Sequence, residues 1–155
     1  MSRVVVNEIE AKVGNDITFN DTVKIDTIKG KTTAGSVTLQ GEGTATTNLQ
    51  QGVAKCWINF EGDATIATSD SFNVSGITDN TTGDYTIAIN NDMNNANYST
   101  TGSGTHDQGT STCYLAIDHD APPTTSTVTV NAMQGSNDTR IDAELLCSTV
   151  HGDLA

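Results

Sequence analysis

Asp118-His119-Asp120 gathers the most reactive side chains of this 155-residue chain into the fewest positions. Two carboxylates beside an imidazole can ligate a metal or orient a general base. In extended backbone, successive side chains point to opposite faces, so Asp118 and Asp120 oppose His119 unless the chain bends. The tripeptide falls at an expected strand end shortly before Pro122, where exposed polar residues are ordinary. Gly102-Ser103-Gly104, with His106 and Asp107 close behind, carries the residue types of a Ser–His–Asp hydrolase. That chemistry needs its serine on a strained turn, usually framed Gly-x-Ser-x-Gly, and a rigid scaffold to fix the geometry. Neither is legible here. Asn90-Asn91-Asp92-Met93-Asn94-Asn95 places oxygen donors at alternate positions, as calcium loops do. The Gly and Glu that complete such a loop are replaced, counting from Asp92, by Asn97 and Ser103. Asn also tolerates left-handed backbone, which explains an Asn-rich turn without an ion. No enzymatic activity, metal or cofactor is expected.

Cys56, Cys113 and Cys147 are odd in number, unrelated in spacing, and set among apolar neighbours at strand positions. They are expected to be small buried hydrophobes; the competing readings are a Cys113–Cys147 disulfide or a metal site. Asn20, Asn73, Asn80, Asn97 and Asn137 begin Asn-x-Ser/Thr triplets, a consequence of Asn/Thr-rich composition rather than glycan sites.

Seven Lys and Arg against nineteen Asp and Glu give a net charge of −12 with no basic cluster. Nucleic acid and anionic membrane surfaces are poor partners, because neutralising phosphate requires Lys and Arg. The acidity suits solubility and mutual repulsion between neighbouring copies. No apolar run approaches the length that spans a bilayer, and Val4-Val5-Val6 is too short for a signal peptide, so synthesis in a cytosol without membrane insertion is expected. Leu, Ile, Val and Phe make up only 31 residues, a thin core for this charge. Several copies burying surface against one another would supply the deficit.

The elements that must position these residues are centred on Gly52 to Tyr98, which holds the only Trp and two of the three Tyr. Cys56, Ile58 and Phe60 alternate with Lys55, Trp57 and Asn59, the period of two of a half-buried strand. Phe72, Val74 and Ile77 mark a second strand, and Tyr85, Ile87 and Ile89 a third. The polar cluster Asp79 to Asp84 between them predicts a hairpin, with Thr81 favouring a longer loop over a two-residue primed turn. Trp57, opposite Cys56 and Ile58, is expected in a second layer or a contact between subunits, with a sugar-stacking platform as the alternative. Before the module, Val4-Val5-Val6, Ile17-Thr18-Phe19, Val23-Lys24-Ile25 and Val37-Thr38-Leu39 are β-prone bursts too short to form a sheet alone. Ile9 and Val13 could share one face of a short helix. Gly41 to Gly52 reads as a short linker, and Ser99 to Thr112 as an exposed loop without apolar residues. Beyond it, Cys113, Leu115 and Ile117 share one face of a strand. Pro122-Pro123 makes a stiff turn, and Val128 and Val130 mark the next strand. Gly135 to Asp138 turns the chain into a last strand, with Ile141, Ala143, Leu145 and Cys147 alternating.

GVAKCWINF, SFNVSGITDN, TGDY and MNNANY, in this order and spacing, resemble a module of virion appendage proteins of tailed bacteriophages, many of them marine or cyanobacterial phages. About a third of the chain is covered. Cys56 stands where a small Ala is usual, Gly76 replaces Ser and Thr81 replaces Gly. The resemblance implies a phage virion structural protein, a short trimeric tail-fibre-like appendage; the alternative is a capsid decoration protein (head fibre or cement). It also implies a homotrimer docked on a larger virion protein of tail or capsid, with attachment to a host surface glycan or protein. The expected architecture is mainly β: residues 1–52 an extended anchoring and trimerisation arm with its linker, and residues 53–155 an antiparallel, jelly-roll-like β-sandwich knob of seven to eight strands. Val4, Val5, Val6, Ile9, Ile17, Phe19 and Trp57 are the candidate partner contacts. His106, Asp107, Gln108, Pro122 and Pro123 are the candidate receptor-facing residues.

Overall fold

The computed structural model describes residues 20, 22–30, 37–40, 44–106 and 111–155. The expectations placed on Val4, Val5, Val6, Ile9, Ile17, Phe19, Asp107 and Gln108 lie outside the described residues. In chain order the elements are β1 (Thr38–Gln40), β2 (Thr46–Asn48), α1 (Leu49–Gly52), β3 (Ala54–Glu61), β4 (Ala67–Phe72), β5 (Val74–Thr81), β6 (Asp84–Ile89), β7 (Ser99–His106), β8 (Ser111–Ile117), β9 (Thr127–Gln134) and β10 (Leu145–His151). β1 and β2 form a small antiparallel hairpin. The other eight strands make one antiparallel sheet in the order β4-β3-β10-β7-β8-β9-β6-β5.

β4 and β5 stand at opposite ends of that order yet are separated in the chain only by Asn73, so the sheet curls almost shut. The corner is built from Asn73 itself. Its backbone sits at φ 55, a left-handed conformation that Asn accepts more readily than most residues. Its side-chain amide donates to the Lys55 carbonyl (2.9 Å), while its Oδ1 accepts from the Asn91 N–H (2.7 Å). The mainly β, antiparallel architecture agrees with expectation. The two layers of the expected sandwich are opposite walls of one curled sheet, because Phe72 and Val74 belong to two strands meeting at a corner rather than to one. β7, β8 and β9 follow one another as hairpins, while β10 returns beside β7 and β6 pairs with β9, the crossing connections of a Greek key.

Inside lies one core. Cys56, Ile58 and Phe60 from β3 meet Tyr85, Ile87 and Ile89 from β6, Val128, Val130 and Ala132 from β9, and Leu146 and Val150 from β10. Each set follows the inward period of two. Phe60 and Tyr85 pack edge to face, with ring centroids 5.2 Å apart. The Tyr85 hydroxyl lies 3.1 Å from both the Gly62 carbonyl and the Asp142 carboxylate, and burial raises its pKa well above the phenol range.

Four local expectations are corrected. Residues 99–106 are not loop but strand β7, seated between β10 and β8. Its inward positions include Gly102 and Gly104, where a Cβ would come within 2.6 Å of the Leu115 and Leu146 side chains respectively. Neighbouring strands lay their leucines over bare backbone, so β7 is packed without apolar residues of its own. Gly41 to Gly52 contains β2 and α1; Asn48 caps α1 by accepting the Gln51 N–H at 3.1 Å. The β5–β6 hairpin turns through just two residues, Thr82 and Gly83, with Gly83 at φ 66, and the irregularity moves to a bulge between Asp79 and Thr81. In β10 the phase is reversed: Leu146, Ser148 and Val150 are buried, while Leu145 is 41% exposed. Ile117, the last residue of β8, is likewise 43% exposed.

Candidate functional site

The strand registers define two ends. Ser99 opposite His151, near the start of β3, marks the end at which the chain enters the sheet. His106 opposite Ser111 marks the other. β8 runs back from Ser111 to Ile117, so the segment carrying Pro122 and Pro123 emerges at the entry end. The candidate receptor-facing residues are therefore divided: half-buried His106 at one end, exposed Pro122 and half-buried Pro123 at the other. They do not form one surface.

The entry end is tied down by polar contacts. The Tyr98 hydroxyl lies 2.9 Å from the carbonyls of both Thr124 and Thr127, holding the proline segment, and burial pushes its pKa to about 12. Lys55, only 3% exposed, turns its ammonium onto the carbonyls of Gln50 and Val53 at the close of α1. Burial lowers its pKa, with Asp153 opposing the shift. Gln51 reaches the Asp153 carboxylate at 3.1 Å. These bonds fix the direction in which the preceding chain leaves the sheet.

Asp118-His119-Asp120 does not converge on a ligand. Asp118 is buried, while His119 and Asp120 are exposed and bonded to each other at 3.3 Å. The Asp118 carboxylate accepts the Asp120 N–H at 2.8 Å and the Arg140 guanidinium at 3.2 Å. The Asp120 N–H, the Asn131 side chain and Arg140 together hold its pKa below the usual carboxylate value. Arg140 also takes the Asp84 carboxylate at 3.0 Å, bracing β6 against the end of β8 across the solvent side of β9. This clamp joins residues far apart in the chain, and no sequence spacing announces it. Its single cation is already satisfied by two carboxylates, so it offers rigidity rather than an open coordination site.

The other chemical candidates are dispersed by the sheet. Ser103 lies in a regular strand, and its face alternates with that of His106, so the two are not brought together. Asn91 is bound to the Asn73 corner and Met93 is buried, which makes Asn90 to Asn95 a structural turn. Among the described residues no group of three His, Cys, Asp or Glu is placed to hold a metal ion. All three cysteines are free: Cys56 and Cys113 are buried and Cys147 half-buried. Burial pushes the Cys56 thiol up to about 11, leaving it an inert packing group.

What remains is a surface. Trp57 is half-buried on the outer face of β3, between Thr149 of β10 and Phe72 of β4. Phe72 is 53% exposed, and β4 is an end strand of the sheet. An exposed aromatic pair beside an open strand edge can take up an extended chain. Trp57 stands on the outer face and does not fill the interior. No family model, curated protein or solved structure matches the chain. Fold and surface together define a mainly β, antiparallel protein whose conspicuous outward feature is an aromatic strand edge.

Proposed function

We propose that the protein is a structural component of a phage particle, a short appendage that docks through its N-terminal arm and presents the curled sheet as a knob. The single observation that carries this is the set of GVAKCWINF, SFNVSGITDN, TGDY and MNNANY submotifs, which map onto β3, the β4–β5 corner, the β5–β6 hairpin and the turn after β6. Several copies, most simply three, assemble and share the burial that a thin core leaves wanting. The arm enters at the Pro122 end, so that end faces the particle and the His106 end faces outward. A host glycan or protein would then be met by the His106 tip, three weak contacts adding through effective concentration.

Electron microscopy of intact virions labelled at a tag inserted beside His106 tests this. Label on a tail or head appendage, projecting away from the particle, is the expected result, and its position decides between tail fibre and capsid decoration. Virions that carry none of the protein would overturn the assignment.

A further inference from the structure

The two halves of the chain divide the charge unequally. Residues 1–52 carry five of the seven Lys and Arg against six carboxylates; residues 53–155 carry two against thirteen. Both cations of the second half are engaged, Lys55 on backbone carbonyls and Arg140 between Asp84 and Asp118. Two knobs brought face to face repel, whereas Thr22 to Gly30, with Lys24 and Lys29 against Asp26, is net positive and suits an acidic surface.

Within that first half, Thr22 to Gly30 (TVKIDTIKG) lies in no helix or strand of its own chain. Val23, Ile25 and Ile28 are 45%, 58% and 62% exposed. Val23 and Ile25 alternate with Lys24 and Asp26, the pattern of a strand with an apolar side. The edge of the sheet has the matching features: Phe72 exposed, Trp57 beside it, and the Asp70 carboxylate accepting, among the described residues, only the N–H of its neighbour Ser71 at 2.8 Å. β5, the opposite edge, has two bulges to the one at Ser69 in β4 and is the poorer template.

We propose that residues 22–29 of one copy add as a further strand to the β4 edge of a second copy. Val23 and Ile25 lie along Phe72 and Trp57, and Lys29, on the same side by alternation, meets the Asp70 and Glu61 carboxylates of that face. Backbone hydrogen bonds supply affinity without sequence preference, and the apolar and charged side chains set the register. The incoming backbone takes over the Ser71 N–H and leaves the Asp70 carboxylate to a lysine. The inference rests on the assembly proposed above and names the place where the arm binds.

The test is light scattering on the full-length protein across micromolar concentrations, with circular dichroism as the check on folding. Ile25→Asp lies outside the sheet and cannot unfold the knob; Asp70→Lys places a cation at the edge. Each should raise the concentration for half-assembly by about tenfold or more. Combining Asp70→Lys with Lys29→Asp should restore assembly, which a purely structural role for Asp70 does not predict. Assembly unchanged in Ile25→Asp and Asp70→Lys overturns the docking site while leaving the oligomer intact. Loss in Asp70→Lys without rescue overturns the charge pairing. A monomeric wild type removes the oligomer and the docking site together.

Discussion

β3 and β7 flank the same strand, β10, and build the same wall by opposite means. β3 turns Cys56, Ile58 and Phe60 inward, all under 3% exposed. β7 turns in Thr100, Gly102 and Gly104, and Leu115 of β8 and Leu146 of β10 close over the glycines. One strand contributes volume; the other contributes its absence. Close packing requires that facing surfaces interlock, and a missing side chain serves as well as a large one if a neighbour fills the space. In β7 the leucines of the neighbouring strands occupy the space that the glycines leave.

Phe60→Ala should be the most damaging change, costing about 3–5 kcal/mol in a urea melt, since a fully buried ring is replaced by a cavity against Tyr85. Gly104→Ala should follow at about 2–3 kcal/mol by the same measurement, because its new methyl meets the Leu145 carbonyl oxygen at 2.6 Å. Truncating Leu146 should not rescue it, as the obstacle is backbone. A smaller effect is expected from the solvent side of the sheet, where Asp118 is held below the usual carboxylate pKa. Its folded value lies under the unfolded one, so its contribution is present above the ordinary carboxylate range. That contribution is lost as pH falls through the folded value. Stability profiles between pH 2 and 7, roughly the span over which carboxylates titrate, should be shallower in Asp118→Asn than in wild type. Ser103→Val, one residue from Gly104 but on the opposite face, should change stability by no more than about 0.5 kcal/mol. If Ser103→Val and Gly104→Ala cost the same, the two-faced description of β7 is wrong.

The same contrast explains what could be read in advance. β3, β6 and β9 were legible because branched and aromatic residues recur at every second position, and their inward faces match that reading residue for residue. β7 was not, because its signal is the pairing of glycines in one strand with leucines in two others, a relation between strands rather than along one. The reversed phase of β10 has a related cause: Leu145 and Leu146 are adjacent and equally apolar, so alternation alone leaves two registers open, and Gly104 decides by making room for Leu146. α1 is hidden inside the stretch read as a linker, because four residues are too few for a periodic pattern. At the surface, Trp57 was singled out by type alone. Its partner Phe72 emerged only once the Asn73 corner separated it from Val74. The Arg140 clamp had no sequence signal at all, since Asp84, Asp118 and Arg140 are assembled by the topology.

The way Lys55 is spent has a practical corollary for proteolysis. With that side chain tucked beneath α1 and Arg140 locked between carboxylates, the curled sheet offers trypsin almost nothing to cut, while Lys24 and Lys29 lie in an exposed stretch. A brief digest should therefore trim the front of the chain and spare one large fragment beginning near Gly30. A partner bound over that stretch would shield those same bonds, turning a protease into a reporter of whether it is engaged.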